Sequence, residues 1–507
     1  MLLDMTAHMN EQAEHSSWYQ TTQVDNPQRP RLNFELDVDV CVIGGGLAGL
    51  TTAREIARRG WSVAVLEAGR IGGGASGRNS GFVLPGFAEN VDTMIERVGL
   101  DHTKELWALS QRGVESVREA IADMPGVDPV DGWLDVAKTD NWRDIRIGVE
   151  RLRWIGANVE AWPKERAREA LASRHYFGAM HYPGAFHIHA LNYVIGLARV
   201  AEIAGVRIFE ETPALEIDAA GVRKRVQTSN GRVRSAHVVL AANTRLGALM
   251  PQLAATLMPI TTYVMETEPL GPALHDVVRY RGAVSDTDRL DNHYRIVGDD
   301  RLQWSGRMTV WDADPKRYAR DLAASIRRVF PQLGDVKVAH VWSGTFGRTL
   351  HHMPQIGEVE PGVWVASGFG RHGLNTTAIA GELIAAGIVE KDQTWRLFAP
   401  YELVWAGGKV FRAVAQTMYF TSRPATKARE ALARARERRR ERRAAKASTR
   451  KAAGGASQAK RPAASPPAKA PAKSRVAGGA TAELLPTPAL LPDDKNASSR
   501  RGKRTPQ

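Results

Sequence analysis

The stretch VCVIGGGLAGL, Val40–Leu50, packs four glycines into eleven residues. Before it, DVDVCVIGG reads as a strand, with Val38, Val40, Val42 and Ile43 apolar. After it, LAGLTTAREIARRG places Leu50, Ala53, Ile56 and Ala57 on one helical face, and WSVAVLE is a second strand ending at Glu67. In Gly44-x-Gly46-x-x-Gly49 each glycine has a mechanical task. Gly44 permits a tight turn, Gly46 lets a pyrophosphate approach the backbone, and Gly49 lets helix and strand pack closely. The helix N-terminus then offers unpaired N–H groups and a positive dipole end to phosphates. Glu67 follows Gly44 by 23 residues, near the spacing of about 20 for an acid on ribose hydroxyls. Its charge would repel a 2′-phosphate, which argues against NADP. The βαβ order alone does not separate NAD from FAD.

Two later loops bear on that choice. AGRIGGGASGRNSGF, Ala68–Phe82, is a second glycine-rich loop, carrying Ser76, Arg78, Asn79 and Gly81. The bland reading is a long surface loop. FAD gives it a purpose, because the ribityl chain and isoalloxazine ring reach beyond the pyrophosphate and need further backbone contact. GVWVASGFGRHGLNTTAIAGELIAAGI, Gly362–Ile388, is again strand, glycine loop and helix. Gly368, Gly370 and Gly373 allow close approach, and Leu374, Asn375 and Thr376 open the helix, whose N-terminus would face the electron-rich side of a flavin.

The 507-residue chain is 43% hydrophobic and long enough for two or three domains. Its net charge of +14 is unevenly placed. Residues 421–507 hold 23 Lys/Arg against 6 Asp/Glu, so the preceding body stands at −3. A nucleic-acid argument from overall charge therefore fails for the body. The single cysteine, Cys41, sits in the first strand, which excludes intrachain disulfides and makes cysteine metal sites implausible. No run of about 18 apolar residues suggests a membrane span, and the N-terminus lacks a secretory pattern, so cytoplasm is the expected location. Residues 1–36 read as an extended arm and 401–420 as a docked aromatic segment, preferred over an amphipathic membrane anchor. Residues 427–446 read as a solvated basic helix, and the chain from Ala447 as disordered.

The segment Gly44–Gly81, preceded by SSWYQTT (Ser16–Thr22), resembles the FAD-dependent amine and amino-acid oxidoreductases of the D-amino-acid oxidase type. Within that family it is most similar to the γ-glutamylputrescine oxidase branch, with supporting matches at ANTRLGALMPQL, DNHYRIVGDDRLQWSGR and the Gly368–Thr377 loop. The similarity runs over roughly residues 16–420 and leaves out the basic tail. It implies an α/β fold, with an FAD-binding Rossmann-like domain built from discontinuous segments 37–95, 185–258 and 345–395. An α+β substrate domain with an antiparallel sheet would take 96–184 and 259–344, followed by a docked segment 396–420 and a disordered basic tail 421–507. It also implies hydride transfer from the carbon beside an amine to flavin N5, with hydrolysis of the imine. Where some relatives attach FAD through a cysteine, Trp342–Gly357 has none, so noncovalent FAD is expected. Where sarcosine-oxidase-like relatives carry a lysine that assists oxygen, this chain has Gln303, so either oxygen or another electron acceptor stays open. The strand end Ala241, Ala242 and Asn243 is implied to pass the cofactor.

Arg371 and His372 sit inside the third glycine loop and are the first catalytic candidates. His351 and Tyr294 are weaker ones, a surface turn and core packing being their plain alternatives, as core packing is for Tyr263. His187 and His189 could ligate a metal, but a helix start and packing account for them better. Two rival functions remain: an NAD-linked dehydrogenase, which leaves Gly72–Gly81 unexplained, and salt-sensitive binding of the tail to nucleic acid or anionic membrane.

Overall fold

The computed structural model describes residues 17–247, 249–286 and 292–458. Two sheets organise them. The first runs Gln355–Glu360, Val363–Ser367, Arg232–Leu240, Glu35–Ile43, Val63–Leu66, Arg207–Phe209. Glu35–Ile43 is parallel to both its neighbours. Its last four residues are buried, which explains an unbroken VCVI rather than an alternating pattern. The chain leaves this strand for Val63–Leu66 on one side, while Arg232–Leu240 lies on the other. The strand order thus reverses at Ile43, and such a reversal opens a crevice beyond the carboxyl ends.

The second sheet runs Val338–Arg348, Met258–Thr267, Arg301–Thr309, His293–Val297, Ala283–Asp286, Val130–Val136, Gly178–His187, Phe82–Val83. It has the antiparallel character expected of the substrate side, apart from one parallel pair between Ala283–Asp286 and Val130–Val136. Tyr294 stacks on Trp304 with ring centroids 4.4 Å apart and belongs to this layer's core.

The helices Leu47–Arg58 and Gly373–Val389 cross closely over the parallel strands. A Cβ on Gly381 would lie 2.6 Å from Thr51 Cγ2 and 2.8 Å from the Thr52 nitrogen. The helix Leu100–Ile121 falls in the 96–184 stretch expected on the substrate side. It buries Leu106, Val114, Val117 and Ile121 in the core of the parallel layer instead.

The tail boundary moves as well. The compact unit extends to Glu441, past the tail's expected start at Thr421. The helix Gly408–Gln458 lays its part up to Glu441 on the body: Gln416 Oε1 accepts the Val310 N–H at 2.8 Å, and Glu437 takes both Arg168 guanidinium nitrogens at 2.9 and 2.8 Å. The segment before it docks through the Ala406 N–H on the Ala255 carbonyl, 2.8 Å. Residues 459–507, where most of the expected disorder and the tail's contacts with nucleic acid or anionic membrane fall, lie outside the described residues. No helix among the described residues is long and apolar enough to cross a membrane.

Candidate functional site

The first glycine turn is built as its spacing requires. Gly44 has φ +110°, and a Cβ there would meet the Ala241 carbonyl at 2.6 Å. A Cβ on Gly49 would lie 1.9 Å from the Gly44 oxygen. One on Gly46 would meet nothing but the Ser76 side chain, so its backbone is otherwise bare. Gly46, Leu47 and Ala48 form one border of a cavity of about 460 Å³. Gly370, Arg371, His372, Gly373 and Leu374 form another, and the small strand-end residues Ala241 and Ala366 lie on the wall. The two distant glycine turns therefore meet at one cavity, at the carboxyl ends of the two parallel strands that flank Arg232–Leu240.

The second loop fastens to the first. Ser76 Oγ accepts the Leu47 N–H at 3.0 Å, and the Asn79 amide donates to the Ser76 carbonyl at 2.7 Å. Arg78 Nε donates to the Ser343 carbonyl at 2.8 Å, tying the loop to the second sheet. Ser76, Arg78 and Asn79 all line the cavity. The Glu67 carboxylate accepts N–H groups from Gly45 at 2.7 Å and Gly69 at 2.9 Å. Burial raises its pKa, against those two hydrogen bonds.

The third loop supplies Arg371 and His372. Burial, reinforced by the Arg371 charge, pushes His372 down to about 4, so its imidazole is neutral near pH 7. Its Nδ1 is buried without a hydrogen-bond partner. An orphaned ring nitrogen beside a glycine loop fits a group with a polar edge held between the turns. The bare Gly46 backbone and the helix start at Leu47 fit a phosphate-bearing one. Among the described residues no group of three or more His, Cys, Asp or Glu is placed to hold a metal.

The second sheet closes the cavity with Trp133, Asp135, Ser285, Asp286, His293 and Arg307. His293 has its Nε2 2.5 Å from the Arg371 guanidinium and its Nδ1 2.8 Å from Ser285 Oγ. Arginine can only donate, so Nε2 accepts and the proton sits on Nδ1, donated to Ser285. The Trp133 indole N–H also donates to that hydroxyl, 3.0 Å, leaving the serine hydrogen for a further acceptor. Burial and the Arg371 charge hold His293 neutral, far below its usual range.

Other expected site residues stand elsewhere. Tyr294 is fully buried, its hydroxyl donating to Tyr176 at 2.9 Å inside the second sheet's core. His351 Nδ1 accepts the Met353 N–H at 3.2 Å, and Nε2 lies 3.2 Å from the Glu402 carbonyl; the ring is off the cavity wall. Gly81 (φ +79°) admits the Ile188 carbonyl, 2.2 Å from where its Cβ would stand, and Gly368 (φ +71°) the Thr349 methyl at 2.7 Å, so both are packing glycines. The Asn375 amide donates to the Gly86 carbonyl at 3.1 Å, and the Thr376 hydroxyl bonds the His372 carbonyl. Ala242 lies between two wall residues without lining the wall itself. Gln303 is buried, donating to the Ser80 carbonyl at 3.3 Å. Tyr263 bonds Thr309 Oγ1 at 2.8 Å. His189 caps the helix Ala190–Ile203, and His187 packs between the Arg281 carbonyl and Arg295.

Sequence reasoning missed Asp135, Ser285, Asp286, His293 and Arg307. His293 and Arg307 lie within DNHYRIVGDDRLQWSGR and were open to notice. The two aspartates lie in short strands whose residues carry no motif.

Comparisons with known proteins agree with this geometry. The sequence profile of the family described as FAD dependent oxidoreductase matches residues 39–386. Gamma-glutamylputrescine oxidoreductase of Escherichia coli K12 is 34% identical over 388 residues, covering 73% of this chain and 88% of its own. The probable oxidoreductase OrdL of Haemophilus influenzae is 31% identical over 413 residues, covering 79% of this chain and 94% of its own. Among solved structures, glycine oxidase of Geobacillus kaustophilus superposes with a TM-score of 0.62 at 23% identity, over 73% of this chain and 99% of that one.

Proposed function

The chain belongs to the FAD-dependent oxidoreductase family, and from that premise we propose that it oxidises the C–N bond of a γ-glutamylputrescine-like amine. FAD is the cofactor; when bound it would supply a hydride acceptor for the carbon beside a neutral amine nitrogen, and the iminium left behind would lose a proton to water and be hydrolysed. At the coarser level the enzyme acts on amines or amino acids. The Gly46–Ala48 backbone and Ser76 would hold the pyrophosphate end, Glu67 the ribose, Arg78 and Asn79 the middle of the cofactor, and Gly370–Leu374 the ring. The substrate side carries both signs of charge, Asp135 with Arg307 and Arg371. Such a wall suits a ligand with an ammonium at one end and a carboxylate at the other. His293 and His372, both kept neutral, add no positive charge to oppose the amine.

The observation that carries this reading is one cavity bounded by both glycine turns and by a wall of mixed charge. The test is an amine panel headed by γ-glutamylputrescine, scored by anaerobic bleaching of the bound flavin and repeated with oxygen. Bleaching by γ-glutamylputrescine is the expected result, and the aerobic arm separates oxidase from dehydrogenase. A colourless protein retained by immobilised NAD, or a flavin that none of the amines bleaches, would sink it.

A further inference from the structure

On the second sheet Ser285 stands in register with Asp135 on one neighbouring strand and with His293 on the other. Trp133, two residues before Asp135, shares their face, and all four residues line the cavity. The Ser285 oxygen is doubly engaged as an acceptor. The Trp133 indole N–H donates to it at 3.0 Å and the His293 Nδ1–H at 2.8 Å. Both donors are held in place. The indole stacks on Tyr182 with ring centroids 4.5 Å apart, and the other imidazole nitrogen accepts from Arg371. A serine oxygen has two lone pairs and one hydrogen. Both lone pairs are occupied, so the hydroxyl can only donate, and among the described residues no acceptor receives its hydrogen. Ser285 is buried, and a buried donor left without an acceptor is costly until a ligand supplies one.

The direction of these bonds decides the chemistry of that ligand. Arg371 donates to His293, His293 donates to Ser285, and Ser285 is left to donate toward the cavity it lines. An ammonium has no lone pair to offer such a hydrogen. A neutral amine that accepted it would tie up the lone pair on which hydride loss depends. An oxygen acceptor suits it. We propose that Ser285 is a specificity residue that donates a hydrogen bond to a carbonyl or carboxylate oxygen of the substrate, and so favours an acylated or carboxylate-bearing amine over a bare diamine. The proposal rests on the amine-oxidising reading given above and names the part of the substrate that the second sheet recognises.

The test uses full-length, flavin-loaded enzyme and follows anaerobic bleaching by γ-glutamylputrescine, N-acetylputrescine and putrescine. S285A should raise KM for γ-glutamylputrescine about tenfold, and lower the kcat/KM preference for it over putrescine by about the same factor. A merely structural role would lower turnover of both amines alike and leave that preference in place. N-acetylputrescine carries an amide and no carboxylate, so it separates the two acceptors. A similar rise in its KM assigns the amide oxygen, and an effect confined to γ-glutamylputrescine assigns the carboxylate. Should S285A fail to fold or to keep its flavin, S285C, which keeps the shape with a weaker donor, carries the test with changes of about threefold. An unchanged KM, or an equal loss on putrescine, overturns the proposal alone. A shifted flavin absorbance maximum in the resting variant with the preference intact also overturns it, because the cofactor is then the acceptor. A wild-type flavin that no amine bleaches overturns the function and this proposal together.

Discussion

The glycine-turn end lines the cavity and the C-terminal helix packs on the body, and the two are specified in opposite ways. At Gly44–Gly49 the backbone itself does the work. No side chain can replace a missing Cβ where the Gly44 oxygen would stand 1.9 Å from it, so the constraint is local and visible in the letters. The C-terminal helix is held by ion pairs between residues far apart in sequence, Glu437 with Arg168 and Glu430 with Lys138. Nothing in its own letters distinguishes those two glutamates from solvated ones. A site can thus be half legible and half hidden, according to whether a contact is made by backbone shape or by partnered charge.

The largest effect should come from adding a side chain at the first turn. Gly49→Val should leave purified protein with less than about a tenth of its flavin, since overpacking at this distance costs about 3 kcal/mol or more. Gly184→Ala is the matched control: a Cβ there meets nothing within 4 Å, and flavin content should not change. The ratio of flavin to protein absorbance checks both, and a yellow Gly49→Val protein would remove the contrast between the regions.

Truncation tests the other side. Ending the chain at Phe420 strips Glu430 and Glu437 from their partners. It should lower the Tm by about 5 °C, consistent with loss of a few partly buried charge contacts. Ending it at Glu441 should cost about 1 °C or less. Equal melting of the two truncated proteins would show that the helix contributes nothing to the body.

The smallest effect is a pH slope shared by both regions. His372 at the third glycine loop and His175 beneath the helix are each depressed to about 4, chiefly by burial and next by Arg371 and Arg434 respectively. Below their ordinary value near 6.5 the unfolded chain binds protons that the folded chain refuses. Urea midpoints should therefore be flat above pH 7 and fall as pH drops from about 6.5 to about 4. His372→Asn and His175→Asn should each flatten part of that fall, and a slope unchanged in both would refute their buried neutral state.

Much of the fold was readable because its elements obey local rules. The first strand, helix and second strand follow hydrophobic period, and the cavity lies where two glycine turns were expected to meet. The catalytic candidates divide by the same logic. Arg371 and His372 line the cavity because they sit inside a glycine loop. Tyr294 and His351 were misplaced because a residue's face in a sheet or turn depends on its neighbours: Trp304 claims one and the Glu402 carbonyl the other. His293 gained its place only when Ser285 and Arg371, distant in the chain, converged on its ring nitrogens.

By itself the sequence determined the glycine geometry and the parallel layer, since each follows from backbone sterics and short-range periodicity, while its resemblance to the family supplied the cofactor. Tertiary structure alone decided which polar residues line the cavity, which glycines merely pack, and where the body ends. Those outcomes depend on burial and charge pairing between remote segments, and neither quantity is a property of a residue until its partner arrives.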